Sequence, residues 1–151
     1  MVDERDTGSR YRQLETIREF AREYLNKRDD AAAIAVRHCD HFLDFAKASN
    51  KGLQGAEQAE WARRVEAELD NLRAAITLAL EGGADPILAV KFEVALMGFR
   101  ILRGYSREGR MYVGAALALP AVRASEVAHA HALYVGAVLA ITQSDHAEAS
   151  G

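Results

Sequence analysis

Residues 85–106 read DPILAVKFEVALMGFRILRGYS, and this stretch decides the fold. Asp85 offers an N-cap carboxylate, and Pro86 suits the first helical position, where its missing N–H costs nothing. Phe92, Ala95, Leu96 and Phe99 within it alternate small and large side chains, so that paired helices can approach closely. Gly104 stops that helix, Ser106 is placed to cap the next, and Pro120 ends it. These start and stop signals predict helices over about 86–103 and 107–119.

Working outward, Trp61, Val65, Leu69, Leu72, Ile76, Ala79 and Leu80 form the longest stripe. It has a break expected near Val65 and an end at Gly82-Gly83, where glycine adopts the left-handed conformation without steric cost. Ala31, Ala35, His38, Phe42, Phe45 and Ala46 predict a helix capped by Asp29 or Asp30 and closing near Asn50–Gly52. Leu14, Ile17, Ala21, Tyr24 and Leu25 predict another over about 11–27. Residues 1–10 are polar, and Asp6-Thr7-Gly8 reads as the turn of a hairpin. Beyond Ser125 an apolar segment reaches Gln143, and Ser144-Asp145-His146 reads as a turn into a seventh helix. With two prolines among 151 residues and abundant Ala, Leu, Glu and Arg, the expected class is all-α with about seven helices.

The helix pairs suggest a repeat. A shift of 41 residues sets Gly104-Tyr105 on Asp145-His146, Ala89 on Ala130, Phe92 on Leu133 and Ala95 on Gly136. The tetratricopeptide pattern is matched loosely by Phe92, Ala95, Leu96, Phe99, Tyr112 and Pro120, with Glu108 standing at a small-residue position. The expected architecture is therefore antiparallel helix pairs stacked as a tetratricopeptide-like, right-handed helical repeat. A solenoid needs a polar capping helix, and none is evident before Gly151, so the last repeat reads as truncated. Leu133, Val135 and Leu139 are expected to form an uncovered apolar face there, promoting a homodimer or a domain swap.

Composition bounds the role. A net charge of -3 supplies no overall positive field for a nucleic-acid backbone or an anionic membrane, so no direct nucleic-acid contact is expected. The N-terminus lacks an apolar signal region, and the longest apolar runs are too short or carry His129 and His131, so neither export nor a membrane span is expected. Cys39 is the one cysteine, which excludes an intrachain disulfide and suits a cytoplasmic location.

No catalytic, cofactor-binding or metal residue is assigned. No Gly-Lys dipeptide occurs, so the phosphate-cradling loop of nucleotide hydrolases is missing. Gly104–Gly109 is one residue too long for a nucleophile elbow and lies between helices. His146-Ala147-Glu148 lacks the Pro-Cys-x-x-Cys partner of a zinc deaminase. His38, Cys39, Asp40 and His41 are the densest group of potential ligands. His38 and His41 share a helix face, but Cys39 points elsewhere, and His38 on the apolar stripe reads as a hydrogen-bonded core histidine. His129 and His131, two apart, do not share a helix face.

Arg100, Arg103, Arg107 and Arg110 surround the turn after residue 103, and residues 85–126 carry six basic against four acidic side chains. Two readings compete: a solvated helix end whose arginines offset the C-terminal dipole, or a surface for an anion or an acidic partner. The first is favoured, because arginine there has a standing electrostatic role.

Arg10-Tyr11-Arg12-Gln13-Leu14-Glu15-Thr16-Ile17-Arg18-Glu19-Phe20-Ala21 resembles the R-Y-R-L-L-E-T-[IV]-R-E-[YF]-A motif of bacterial STAND-type ATPase regulators, including LuxR-type and cyclase-fused members common in actinobacteria. His38 with His41-Phe42-Leu43, Glu68-Leu69-Asp70-Asn71-Leu72-Arg73-Ala74-Ala75-Ile76, and Arg103-Gly104-Tyr105 through Glu108-Gly109-Arg110 extend the match in order. The resemblance implies that residues 1–10 are the remnant of a winged-helix wing, 11–83 a connecting helical bundle and 84–151 the first tetratricopeptide-like repeats. It implies ATPase, DNA-binding or cyclase activity only for nucleotide-binding, winged-helix and effector domains outside this chain. The expected role is a non-catalytic sensor or interaction segment of a multidomain signalling ATPase or transcriptional regulator. Its repeat surface would take a protein partner or a small inducer. The alternative is a free-standing tetratricopeptide-like adaptor that binds a partner peptide.

Overall fold

The computed structural model describes residues 2–5, 8–11 and 30–149, with side chains from 30 to 144. It divides into two units, residues 1–34 and 35–151. In the first, β1 (Val2–Arg5) and β2 (Gly8–Tyr11) pair antiparallel, with Val2 opposite Tyr11 and Arg5 opposite Gly8. The two paired strands of the expected hairpin are therefore present, its turn residues Asp6 and Thr7 lie outside the described residues, and Tyr11 belongs to a strand rather than to a helix start. The helix expected to about residue 27, and the cap at Asp29, lie outside the described residues.

From residue 31 to residue 149 every element is helical, giving seven helices among the described residues. They are α1 (Ala31–Leu53), α2 (Gln58–Ala67), α3 (Leu69–Leu80), α4 (Ile87–Arg103), α5 (Ser106–Ala118), α6 (Pro120–Ala124) and α7 (Glu126–Ala149). The all-α class holds. No described helix is long and apolar enough to cross a membrane.

Local chemistry sets most helix ends. The Ile87 amide donates to Asp85 Oδ1 at 2.9 Å, so the carboxylate caps α4 as expected. Gly104 closes that helix at φ 76°, while Tyr105 N–H donates to the Arg100 carbonyl at 2.7 Å and Gly104 N–H to that of Ile101 at 3.4 Å. That pair of bonds satisfies carbonyls otherwise orphaned at a helix end. Gly82, at φ 86°, plays the same part after α3. The break expected near Val65 falls at Glu68, whose amide is shared between the carbonyls of Arg64 and Val65.

One expectation is extended and three need correction. Pro120 does end α5, because Leu119 before it is held extended, but it also starts α6 at the position proline tolerates. Ser106 caps nothing: it is buried inside α5, its Oγ 3.5 Å from Thr142 Oγ1, whereas Ser125 Oγ accepts the Ala128 amide of α7 at 3.2 Å. No turn forms at Ser144-Asp145-His146, so the proposed match to Gly104-Tyr105 lacks a second turn and no seventh helix begins there. Ser144 Oγ donates to the Ala140 carbonyl at 3.1 Å, so α7 itself holds the polar side chain. Finally, Val135 and Leu139 are fully buried while Leu133 is 54 % exposed, so the three do not share an uncovered face.

The core joins α3, α4, α5 and α7 through Leu72, Ile76, Phe92, Leu96, Phe99, Val113, Val135 and Leu139. Small residues allow the close approach. A Cβ on Gly109 would lie 2.7 Å from Leu139 Cδ1, and one on Gly136 would lie 3.3 Å from Val113 Cγ1. At the end of α1, a Cβ on Gly52 would strike the Trp61 indole, which itself lies under the Arg64 guanidinium.

Candidate functional site

Charge on α4 sorts onto two faces. On one, Glu93 and Arg100 stand two helical turns apart, and both are buried, at 1 % and 0 % exposure. Arg100 donates from Nε and Nη2 to the two Glu93 carboxylate oxygens at 3.0 and 2.7 Å, a fork matched to a fork. Its Nη1 donates to Glu108 Oε2 of α5 at 3.0 Å. Glu108 in turn accepts from Arg73 of α3, at 2.5 Å from Nε and 3.1 Å from Nη2, and Arg73 reaches Asp70 at 3.3 Å. The ladder thus links three helices. The Tyr112 ring lies 5.4 Å from the Arg100 guanidinium, and Tyr105, stacked on Phe99, lies 5.9 Å from that of Arg73.

Burial raises the Glu93 carboxyl above the ordinary range, opposed by the charge and hydrogen bonds of Arg100. Hydrogen bonding to Glu108 holds Arg73 more firmly protonated. Burial, reinforced by Glu108, raises the Tyr112 phenol. No buried side-chain nitrogen or oxygen among the described residues lacks a partner.

The four arginines singled out from sequence are therefore not one surface. Arg100 is interior, because Glu93 on its own helix supplies a counter-charge inside the core. Arg103 pairs with Glu66 at 3.5 Å, Arg110 Nη1 donates to Gln143 at 2.9 Å, and Arg107 stays exposed. Sequence reasoning passed over Glu93. Its signal was an acid seven residues before a base, both inside an apolar stripe.

The other face of α4 opens onto a groove of about 450 Å³ between α1, α4 and the first turns of α7. Ile87, Val90, Val94 and Ala95 of α4 and Val127 and Ala128 of α7 make it apolar, and Lys47, Asn50, Lys91, Ser125 and His131 supply its polar groups. No carboxylate lines it, and neither Lys47 nor Lys91 makes an ion pair among the described residues. Its volume falls in the range of small-molecule sites.

Of the histidine cluster on α1, His38 and Cys39 face the packed side and Asp40 and His41 are exposed. His38 Nε2 lies 3.3 Å from the Asn71 carbonyl, and burial lowers the imidazole pKa despite that bond. Phe42 sits against both His38 and His41, at ring separations of 4.8 and 4.9 Å. The Cys39 thiol, its pKa raised by burial, donates to the Ala75 carbonyl at 3.5 Å. Among the described residues no three His, Cys, Asp or Glu side chains gather as a metal site.

Set beside known proteins, 83 residues, 55 % of the chain, are 36 % identical to a Mycobacterium bovis protein and to counterparts in two strains of Mycobacterium tuberculosis. These carry the inferred designation HTH-type transcriptional regulator. The chain shares a homologous segment with such regulators. That segment is 9 % of each relative's length, so the chain spans a small part of them. No family model and no solved structure matches.

Proposed function

We propose that this chain is a helical sensor segment of a multidomain bacterial transcriptional regulator of the LuxR-type, STAND ATPase kind, working in the cytoplasm. It acts by contact rather than catalysis. Tetratricopeptide-like pairing of α4 with α5, backed by α7, presents a surface to a protein partner or a small inducer, and nucleotide-binding and winged-helix domains of the same polypeptide respond. The observation that carries the reading is the 36 % identity to a segment of much longer HTH-type regulators, joined to an all-helical scaffold with an apolar groove. The ionic ladder through Glu93, Arg100, Glu108 and Arg73 supports it by fixing α3, α4 and α5 together, as a scaffold that transmits occupancy requires.

An antibody raised against residues 84–151 tests this in the source cells. The expected result is a polypeptide several times larger than 16.5 kDa that is recovered with promoter DNA. A native band at 16.5 kDa would overturn the reading in favour of a free-standing adaptor.

A further inference from the structure

The groove between α1, α4 and α7 has a chemistry of its own. Its floor, including Val90, Val94 and Ala128, is apolar, and two lysines on different helices, Lys47 and Lys91, unpaired among the described residues, stand at it with no carboxylate among the described lining residues. The third wall is the first turn of α7, the positive end of that helix's dipole; Glu126 lies on that turn but does not line the groove. An apolar trough with only cationic and neutral polar groups matches a ligand that is apolar along its body and negative at one end. At about 450 Å³ it is sized for a small molecule rather than for a peptide helix.

We propose that this groove binds a small amphipathic monocarboxylate, its hydrocarbon body on the Val90–Val94–Ala128 floor and its carboxylate between Lys47 and Lys91. The proposal rests on the reading of the chain as a sensor segment and names the class of inducer. Lysines on two helices would then be drawn toward one charge, tying the position of α1 to that of α4 when the ligand is present.

Calorimetric titration of the 151-residue chain with sodium decanoate, decanol and a short polyglutamate peptide tests it. Saturable one-to-one binding of decanoate is expected. Decanol, lacking the charge, should bind at least about ten-fold more weakly, and the exposed Lys47→Glu/Lys91→Glu variant should weaken decanoate by a similar factor. Val94→Trp, which fills the trough while leaving both lysines, should abolish decanoate binding with the circular dichroism unchanged. Equal binding of decanol, undiminished binding by the lysine variant, or binding of polyglutamate alone would overturn the proposal. A negative titration alongside the large promoter-bound polypeptide removes the ligand class and leaves the sensor reading. A 16.5 kDa native band removes that reading whatever the titration gives.

Discussion

The two faces of α4 treat charge in opposite ways. Glu93 and Arg100 are removed from water and answer each other, Arg100 being held also by Glu108, whereas Lys91, two residues before Glu93, is exposed and makes no ion pair among the described residues. Carrying a charge does not by itself separate these cases. What separates them is whether an opposite charge, from the same helix as in Glu93–Arg100 or from the next as in Glu108, lies at hydrogen-bonding distance where packing excludes water. A buried ion is costly unless paired, and an exposed one is nearly neutral in energy. The closed face is a structural joint, and the open face carries the lysines on which the proposed site rests.

Breaking the closed face should give the largest effect. Arg100→Met leaves Glu93 buried without its partner, and urea unfolding should report a loss of about 3–5 kcal/mol. Glu93→Leu together with Arg100→Met should recover most of that loss, since replacing both partners by apolar groups of similar volume is often neutral or stabilising. A double variant as unstable as the single would show that the pair itself, rather than the stranded charge, supplies the stability.

Gly109→Ala comes next. Its Cβ would meet Leu139 Cδ1 at 2.7 Å and Arg100 Cδ and Glu93 Oε2 at 3.0 Å, so the joint must open, at about 1–3 kcal/mol in the same assay. Arg73→Gln removes the half-exposed end of the ladder while Arg100 still holds Glu108, and a loss of about 1 kcal/mol is expected.

His38 is a milder case of a polar group drawn inside. Burial lowers its folded pKa below the ordinary 6.5, so between those two values the unfolded chain binds the proton and the folded chain does not. Stability from this group is therefore complete above 6.5 and falls as the pH drops through the lowered folded value. Melting temperatures of the wild type and His38→Gln should draw together on acidification from pH 7, and parallel curves would count against the assignment. The smallest effect belongs to the open face. Lys47→Gln and Lys91→Gln should each change stability by less than about 0.5 kcal/mol, and a larger loss would mean that these lysines are structural after all.

Much of the helical framework was legible in the sequence because its signals act within a few residues. Asp85, Pro86 and Gly104 bound α4 through contacts to backbone groups two to five positions away, and Gly82 does the same for α3. The groove was not legible, since Lys47, Lys91 and His131 come to line one space only through packing. Ser106 looked like a cap and became a core residue because α7 brings Thr142 over it. Val135 and Leu139, four apart, share one side of α7, while Leu133 lies away from them. That helix is apolar around much of its surface, with Val127, Tyr134 and Ile141 left 60–67 % exposed, so periodicity alone did not choose its buried side.

The sequence by itself determined the helical class, the hairpin and most helix ends, because capping and turn chemistry is local. Only the tertiary structure decided that Arg100 is interior, that Lys47 and Lys91 face one groove and which side of α7 is covered. Each of those depends on which distant residue supplies a counter-charge or excludes water.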